Sequence, residues 1–418
     1  MHPREGWQAD GTRRPALSRR AFLQRAGAAG LLAAGGGSAL SACDSFLTGG
    51  AALTLPRPDR PVTWPTAGND PIKSGLQPET GATLEVYNWV AYVNQACLNH
   101  FAKKYNCKVS LTTFNTMDEA LSKLRSGLKF DVLMGATVDV LGQLIDSKLI
   151  QPLNHSYLPN IAQAWPDFTD PFYDRHWHYT VPYTIYTTGI SWRKDYVHEN
   201  PYRMRNPWAM PWQPKYKGKV AILDDYREGI SLGLMKQGIF DLNTTSKRQI
   251  DSSRQQLQDL ASLVDVHIDN NDYTEIPTGQ TWIHHAWSGD MASAQYYMPK
   301  GTPVEVVGYW FPPDGRGPVA NDTNTVLRSA RNPVLAHLFL DYLLDLPNVL
   351  ENISFNGYMQ PLNAITPQRL VAEKLLPPSL MSTAVLPSYF RRGVGELQLP
   401  ADADALWQQA WLVASNGI

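Results

Sequence analysis

Two acidic residues, Asp225 and Glu228, stand three positions apart in the stretch DDYRE, beside Asp224. Paired carboxylates are the catalytic groups of glycoside hydrolases. The same Asp-x-x-Glu spacing before a predicted helix resembles a capping box, in which both carboxylates accept hydrogen bonds from backbone N–H groups. The position at a helix start favours capping over hydrolysis, and it also allows one carboxylate to cap while the other binds a ligand.

Histidines occur in two close sets that have the donor atoms of a metal site. His176 and His178 flank one tryptophan, and His284 and His285 are adjacent. Neither set has a third ligand at a recognisable spacing, and the sequence contains no H-E-x-x-H, G-x-S-x-G or phosphate-binding loop. We therefore predict solvated or core histidines, no metal, no cofactor and no enzymatic activity.

Cys43 follows a stretch with the pattern of an export signal. Arg19 and Arg20 form a twin-arginine pair, and residues 26–42 are small and uncharged. This stretch is too short and too weakly apolar for a membrane span. The four residues LSAC at 40–43 resemble a bacterial lipobox. We predict a twin-arginine-type lipoprotein signal peptide over residues 1–42 and a lipid on Cys43, which would anchor an exported protein to the outer face of the cytoplasmic membrane. The alternative is a cleaved signal with an unmodified cysteine.

Residues 43–80 are predicted to be a lipid-anchored flexible linker, because glycines and prolines replace apolar periodicity there. Without residues 1–42 the chain has 31 basic and 36 acidic residues, a net charge of about −5. That balance argues against nucleic acid as a partner. The remaining body of about 340 residues exceeds one typical domain and predicts two lobes. Its two further cysteines, Cys97 and Cys107, are interpreted as small buried residues, with a disulfide as the alternative.

Beyond residue 80, short apolar strands alternate with amphipathic helices, which predicts α/β units with a parallel sheet covered on both faces. The predicted strands are Thr83–Trp89, Lys108–Phe114, Phe130–Met134, Tyr179–Ile190, Gly218–Leu223, Thr281–Trp287 and Val304–Val307. The predicted helices are Asn94–Tyr105, Met117–Gly127, Val138–Ser147, one from Arg227, 246–264, Asn332–Leu344 and Ala403–Ala414. Two such units joined by extended crossings suggest hinged lobes with a cleft between them.

From about residue 82 to its end, the chain resembles the bacterial spermidine/putrescine-binding proteins of ABC importers. Its matching stretches, in order, are YNW with Tyr92, TMDEALSKLRSG, FDVLMG, YTVPYTIYTTGI, PKYKGKVAILDDYRE, HHAWSGD and NGYMQPLN. The resemblance implies an α/β, type II periplasmic-binding-protein fold. Lobe 1 would comprise 81–188 and a return at 318–362, and lobe 2 would comprise 189–317 and C-terminal helices at 363–418. It further implies a polyamine ligand, ABC permease subunits as partners and a monomer.

In that family, carboxylates hold the ammonium groups of the polyamine and aromatic rings sandwich its methylenes. The resemblance assigns these roles to Trp89, Tyr92, Asp225, Glu228, Trp287, Asp322 and Tyr358. Each has a plainer interpretation: core packing for the rings, capping for Asp225 and Glu228, and a turn for Asp322.

Two positions depart from the family pattern, because Val138 and Ala320 stand where aromatic residues are expected. Trp310 and Phe311 lie close by in sequence and are candidates to compensate for the lost rings. Two alternatives therefore stay open. One is another small ligand on the same fold, a different amine or a compact anion near Arg227. The other is a surface lipoprotein that works by protein contact.

Overall fold

Nine β-strands of the described residues, 54–417, form one mixed sheet in this computed structural model. They are β1 (Thr83–Trp89), β2 (Lys108–Phe114), β3 (Val132–Thr137), β4 (Val181–Arg193), β5 (Val220–Ile222), β6 (His267–Ile268), β7 (Ile283–Trp287), β8 (Val307–Trp310) and β9 (Val319–Val326). The sheet order is β2-β1-β3-β9-β4-β7-β5-β6, and β8 pairs with β4.

Strand β4 joins two halves of this sheet. Its residues 181–187 pair with β9, and its residues 188–193 pair with β7 and β8. We call β2, β1, β3, β9 and residues 181–187 the first half-sheet, and the remainder the second half-sheet. Strands β1, β2 and β3 are parallel, as are β5, β6 and β7, but β9 and β4 run antiparallel to their neighbours. The prediction of a parallel sheet is therefore wrong where the chain crosses between the halves.

The helices of the described residues lie mostly between these strands in sequence. They are α1 (Gln95–Lys104), α2 (Met117–Arg125), α3 (Leu141–Asp146), α4 (Pro166–Thr169), α5 (Tyr226–Lys236), α6 (Lys247–Val264), α7 (Asp272–Thr278), α8 (Ser288–Ser293), α9 (Pro333–Tyr342), α10 (Leu346–Asn356), α11 (Pro367–Ala372), α12 (Pro387–Arg392) and α13 (Ala401–Ser415). Several begin with a side-chain cap: Thr116 accepts from the backbone N–H of Glu119 at the start of α2. Such caps satisfy N–H groups that have no partner inside the helix.

Three apolar clusters form the core. One lies around α2, α3 and the first half-sheet, and a second is built by α5, α6 and α13 with the second half-sheet. The third extends from α1, α9 and α10 to residues of β4, β8 and α8. The last helix is thus part of the second cluster, where Trp407 is fully buried.

Five predicted strands have other bounds in the structure. Three of them are shifted by two or three residues at an end, and are observed as Val181–Arg193, Val220–Ile222 and Ile283–Trp287. The predicted strand Val304–Val307 is wrong for most of its length, because residues 304–306 form a 3-10 turn in which the Val306 N–H donates to the Pro303 carbonyl. The predicted strand Phe130–Met134 begins at Val132 instead and continues to Thr137. The sequence did not predict this extension, because small residues such as Gly135 and Ala136 lack the pattern of large apolar side chains that indicates a strand.

The segment 54–80, which we call the strap, is packed against the body. Trp64 is 2% exposed, and its Nε1–H donates to the Tyr173 carbonyl at 2.7 Å. Further along, Asn69 Nδ2 donates to the Ile150 carbonyl at 3.1 Å. The prediction of a flexible linker over 43–80 is therefore wrong from about residue 57 onward, because a buried tryptophan gives the proline-rich chain an anchor. Cys43 and the predicted signal peptide lie outside the described residues.

Both cysteines of the described body are free thiols. Cys97 is buried, and its pKa is raised by that burial and by the nearby Glu351 carboxylate. A thiol held protonated is a poor nucleophile. Within residues 54–417, no helix is both long enough and apolar enough to cross a membrane.

Candidate functional site

The first part of the site is a buried carboxylate on β9. Asp322 is 4% exposed, and the Tyr92 hydroxyl donates to its Oδ2 at 2.6 Å. The Tyr186 hydroxyl lies 3.4 Å from Oδ1, at the long end for a hydrogen bond. Burial raises the pKa of Asp322 to about 7, since these donors only partly replace water around the charged form. Asp322 is therefore a carboxyl group that is poised to ionise near neutral pH.

The second part is Glu228, in the first turn of α5. Its Oε1 accepts from Thr188 Oγ1 at 2.7 Å and from Trp287 Nε1 at 2.8 Å. Its Oε2 is shielded from solvent and has no hydrogen-bond partner among the described residues. Burial, with a smaller contribution from the neighbouring Asp225, raises the pKa of Glu228 to about 7. One oxygen is thus held in position while the other remains available to a donor.

No charged histidine neutralises Glu228. His285 Nε2 lies 3.9 Å from Glu228 Oε2, too far for a hydrogen bond. Burial lowers the pKa of His285 to about 3, so its ring is neutral at physiological pH.

Asp225 has the capping role that its spacing suggested. Its Oδ1 accepts from the backbone N–H groups of Arg227 at 2.8 Å and Glu228 at 3.2 Å. The Glu228 side chain turns away to Thr188 and Trp287, so the reciprocal half of a capping box is missing. Burial raises the pKa of Asp225 to about 6. The interpretation in which one carboxylate caps and the other faces the site fits this geometry.

Aromatic rings connect the two carboxylates. The Tyr358 ring meets Tyr92 edge-on at 5.0 Å and Tyr186 edge-on at 5.7 Å between centroids. Tyr186 in turn meets Trp287 at 6.4 Å. Such edge-to-face contacts hold rings in a fixed orientation. The rings therefore form a continuous wall from the Asp322 side to the Glu228 side.

Trp89 reaches the site through Gly135 in β3. Its Nε1–H donates to the Gly135 carbonyl at 2.9 Å, and its ring leans on Phe114. Gly135 has a φ of +71°, and a Cβ there would lie 2.5 Å from the Trp89 ring and 3.1 Å from Tyr92. Only glycine permits this backbone and this close approach. The side chains of Trp89 and Tyr92 thus both pack against Gly135.

Three residues near the site were missed in the sequence. The pKa of Tyr186 is raised by burial and then by the charges of four carboxylates, Asp322, Glu228, Glu396 and Asp225. Glu396 Oε1 is shielded and has no partner among the described residues. Asp139 raises the pKa of both Asp322 and Asp225. Tyr186 stands in a strand that the sequence singled out, but Glu396 lies in an irregular segment without any periodic signal.

The departures from the expected pattern are explained in part. Ala320 pairs with Tyr186 in the β9–β4 ladder, so the site has a ring beside that alanine. The idea that Trp310 and Phe311 compensate is wrong. Trp310 packs on Trp208 in the second cluster, and the Phe311 ring meets Tyr389 at 5.1 Å between centroids, away from the rings of the site.

Arg227 is the buried cation nearest to these acids in sequence, and its side chain is already bound. Its Nη1 donates to the Leu397 carbonyl at 3.0 Å, and its Nη2 donates to Leu242 and Asn243 oxygens at 3.0 and 2.8 Å. The guanidinium carbon also lies 4.8 Å from the centre of the Trp407 ring. The terminal nitrogens of Arg227 are therefore held by the surrounding chain, and its Nε is shielded without a hydrogen-bond partner among the described residues.

The sequence profile of the family "Bacterial extracellular solute-binding protein" matches residues 96–371, about two thirds of the chain. The chain belongs to this family. Members of such a family bind solutes, so the buried carboxylates described above are candidate ligand-binding groups. A two-lobed fold with a cleft is the architecture expected of such a protein.

Curated relatives cover most of the body. The chain is 28% identical over 316 residues to a spermidine/putrescine-binding periplasmic protein of Escherichia coli, which covers 75% of this chain and 85% of that protein. It is 24% identical over 302 residues to a putrescine/cadaverine-binding protein of Pseudomonas aeruginosa, covering 71% and 84% of the two chains.

Solved structures confirm the fold. A spermidine/putrescine ABC transporter protein of Listeria monocytogenes matches with a TM-score of 0.69 at 23% identity, over 80% of this chain and 98% of that one. A lipoprotein of Treponema pallidum matches with a TM-score of 0.64 at 19% identity, over 79% and 99%. The predicted α/β, two-lobed periplasmic solute-binding fold of type II is confirmed.

Proposed function

We propose that this protein captures a polyamine outside the cytoplasmic membrane and delivers it to an ABC permease. The observation that carries the proposal is the pair of buried carboxylates, Glu228 and Asp322, joined by aromatic rings. Glu228 Oε2 lacks a hydrogen-bond partner among the described residues. A buried carboxylate without a partner is costly, and an ammonium group supplies both the charge and the donors it needs.

A polyamine fits both parts of this site. Its ammonium groups match the carboxylates, and its methylenes match the ring wall of Tyr92, Tyr358, Tyr186 and Trp287, which Trp89 adjoins at Tyr92. Each buried CH₂ contributes about 0.8 kcal/mol. A cation over an aromatic face adds roughly 0.5–2 kcal/mol. The same acids would repel an anion, and Arg227 has its terminal N–H groups bound to carbonyl and amide oxygens.

The names of two relatives support the same ligand class. The proteins from Escherichia coli and Pseudomonas aeruginosa are described as binding spermidine, putrescine or cadaverine. These are linear amines with primary ammonium ends. The shared chemistry is a flexible chain with two or more positive charges, which is what the two separated carboxylates would select.

Delivery requires two lobes that close on the ligand. We assign lobe 1 to 81–188 and 318–362, and lobe 2 to 189–317 and 363–418. Strand β4 changes partners between Thr187 and Thr188, next to the first of these boundaries. Closure stabilised by the ligand would then mark the loaded state for the permease.

Anchoring to the membrane completes the proposal. Export through the twin-arginine route and a lipid on Cys43 would keep a monomeric receptor near its permease. Replacement of Cys43 by Ser should abolish incorporation of labelled fatty acid and release the protein from the membrane fraction. A Cys43→Ser variant that stays lipid-labelled would contradict the assigned anchor.

Thermal unfolding tests the ligand class. Spermidine or putrescine at 100 times its Kd should stabilise the fold by about 2.7 kcal/mol. Butane-1,4-diol has the methylenes of putrescine without its charges and should give no shift, and sulfate should give none. A shift with sulfate and none with any amine would contradict the proposal.

A further inference from the structure

A second cluster of ligand-type side chains lies in the second half-sheet, apart from the carboxylates described above. It contains Asp269, which follows β6, Glu275 on α7 and His284 on β7. One potential ligand atom from each residue lies within 4.8 Å of the others. These residues are scattered over sixteen positions of sequence, which is why neither histidine pair showed a third ligand at a recognisable spacing.

His284 is the observation that distinguishes this cluster from an ordinary acidic group. Its side chain is fully buried, and its Nδ1 lies 2.6 Å from the His285 carbonyl oxygen. A ring nitrogen that faces a carbonyl oxygen carries a hydrogen, so the tautomer that fits this contact has its lone pair on Nε2. That Nε2 is shielded from solvent and has no hydrogen-bond partner among the described residues. It lies 3.7 Å from Asp269 Oδ1, beyond hydrogen-bond range.

The two carboxylates are held in place by other groups. Glu275 Oε1 accepts from Gln280 Nε2 at 2.8 Å, and its Oε2 accepts from Thr281 Oγ1 at 2.5 Å. The Asn271 N–H donates to Asp269 Oδ1 at 2.6 Å. Each oxygen retains a lone pair, and outer contacts of this kind orient the ligands of metal ions. The Asp269 side chain is 20% exposed and gives the cluster an opening to solvent.

We propose that Asp269, Glu275 and His284 bind a divalent first-row transition ion such as Zn²⁺. One imidazole nitrogen and two carboxylate oxygens suit that class, with bonds of about 2.0–2.2 Å and water in the fourth position. Ca²⁺ and Mg²⁺ prefer sites made of oxygen alone and more numerous ligands. The three side chains would draw together slightly around the ion.

The ion would have a structural role that reaches the ligand site. It would tie the loop after β6 and helix α7 to strand β7, which ends at Trp287. Asp272, the first residue of α7, already accepts from the Trp287 N–H at 3.2 Å. Bound metal would therefore stiffen the elements that position Trp287. This site does not depend on the proposed polyamine function and can be tested without any amine.

The test is titration of the full chain, first treated with a chelator, with Zn²⁺, Mn²⁺ and Ca²⁺ by calorimetry. We expect one equivalent of Zn²⁺ to bind and to raise the melting temperature. Asp269→Asn should weaken Zn²⁺ binding on the order of 100-fold or more. X-ray absorption of the zinc complex should show one imidazole nitrogen among oxygen ligands.

A matched control is Asp265→Asn, an exposed acid four residues before Asp269, which should bind Zn²⁺ like the parent. His284→Gln is the stronger test, because it removes the imidazole ligand, but it also removes a buried ring. If the His284→Gln variant fails to fold, the result for Asp269→Asn decides. Absence of stoichiometric Zn²⁺ binding, equal binding by Asp269→Asn, or preference for Ca²⁺ would each overturn the proposal.

Discussion

At the scale of single residues, burial and hydrogen bonding act in opposite directions on the two site carboxyls. Burial disfavours the charged form, whereas the donors from Tyr92, Thr188 and Trp287 favour it. The outcome is a pKa of about 7 for both Asp322 and Glu228. A cationic ligand would shift the balance to the ionised forms.

The first prediction concerns protons. Acids with raised pKa values bind protons more tightly in the folded than in the unfolded state, so their contribution to stability without ligand falls as pH rises from about 4 to about 7. Binding of a polyamine near pH 6.5 should therefore release protons, and binding at pH 9 should release few from these groups. Calorimetry in buffers of different ionisation enthalpy measures the number released. An enthalpy at pH 6.5 that does not depend on the buffer would contradict this prediction.

The second prediction separates binding from folding. Glu228→Gln and Asp322→Asn should each weaken polyamine binding by about 2–5 kcal/mol, since an ammonium group loses its charged partner. Neither variant should lower the stability of the unliganded fold at pH 8, because a neutral amide carries no burial cost for charge. Equilibrium dialysis and thermal melts give the two quantities.

The exposed Glu305→Gln is the control for these carboxylates and should change neither affinity nor stability. Unchanged affinity in both site variants would remove the assigned site.

At the scale of elements, helix α8 and strand β3 position aromatic rings of the site. Helix α8 brings Gly289 against Tyr358, where an added Cβ would lie 2.3 Å from the Tyr358 ring. Strand β3 uses Gly135 in the same way for Trp89. The site therefore depends on two positions where the absence of a side chain is what allows the contact.

The third prediction follows from that contact. Gly289→Ala should push Tyr358 away and weaken polyamine binding about 3- to 10-fold, consistent with the roughly 0.5–1.5 kcal/mol of an aromatic pair. Helix propensity alone would favour Ala. Gly417→Ala, where the nearest atom is 3.4 Å from the added Cβ, should bind normally. Tryptophan fluorescence measures the affinity of each variant for the polyamine. Equal affinity in both variants would show that Tyr358 is not part of the site.

The fourth prediction concerns the strap. Trp64→Ala should lower the free energy of unfolding by about 3–5 kcal/mol, as loss of a buried tryptophan does. Leu76→Ala in the same segment removes a side chain that is 44% exposed. This substitution should change the free energy of unfolding by less than about 0.5 kcal/mol. Urea denaturation compares them. A Trp64→Ala protein as stable as the parent would restore the flexible-linker interpretation of this part of the chain.

At the scale of the whole molecule, the segment after α12 contacts both helix α3 and the strap. The Gln398 side chain, which follows α12, lies against Gly142 of α3, where an added Cβ would sit 2.2 Å from its Oε1. Arg57 of the strap donates to the Gln398 carbonyl at 2.8 Å. Residues from three distant parts of the sequence thus meet at one place.

The local sequence pattern predicted individual helices and strands better than it predicted the strands that cross between the two half-sheets. Strands β1 and β2 match their predicted bounds, because apolar alternation and turn residues mark them plainly. The crossing strands and the strap depend on contacts more than a hundred positions apart, such as Trp64 with Tyr173. No local signal reports such contacts.

The candidate site, too, was predicted from the sequence only in part. The structure brings Tyr92, Tyr358 and Asp322 together and, beside them, Glu228 and Trp287, all residues that the sequence singled out. Their roles as ligand-binding groups remain a proposal. Tyr186, Glu396 and Asp139 were missed: Tyr186 lies in a predicted strand whose pattern does not show which ring reaches the site, and Glu396 lies in an irregular segment without a periodic signal.

Calorimetric titration of the chain from residue 54 onward with spermidine tests the central claim most directly. The cut keeps the strap, including the buried Trp64. We predict one binding site with a Kd in the micromolar range or below, abolished in the double variant Glu228→Gln, Asp322→Asn. No heat with spermidine or putrescine in a folded parent protein, or the same heat in the double variant, would contradict the account.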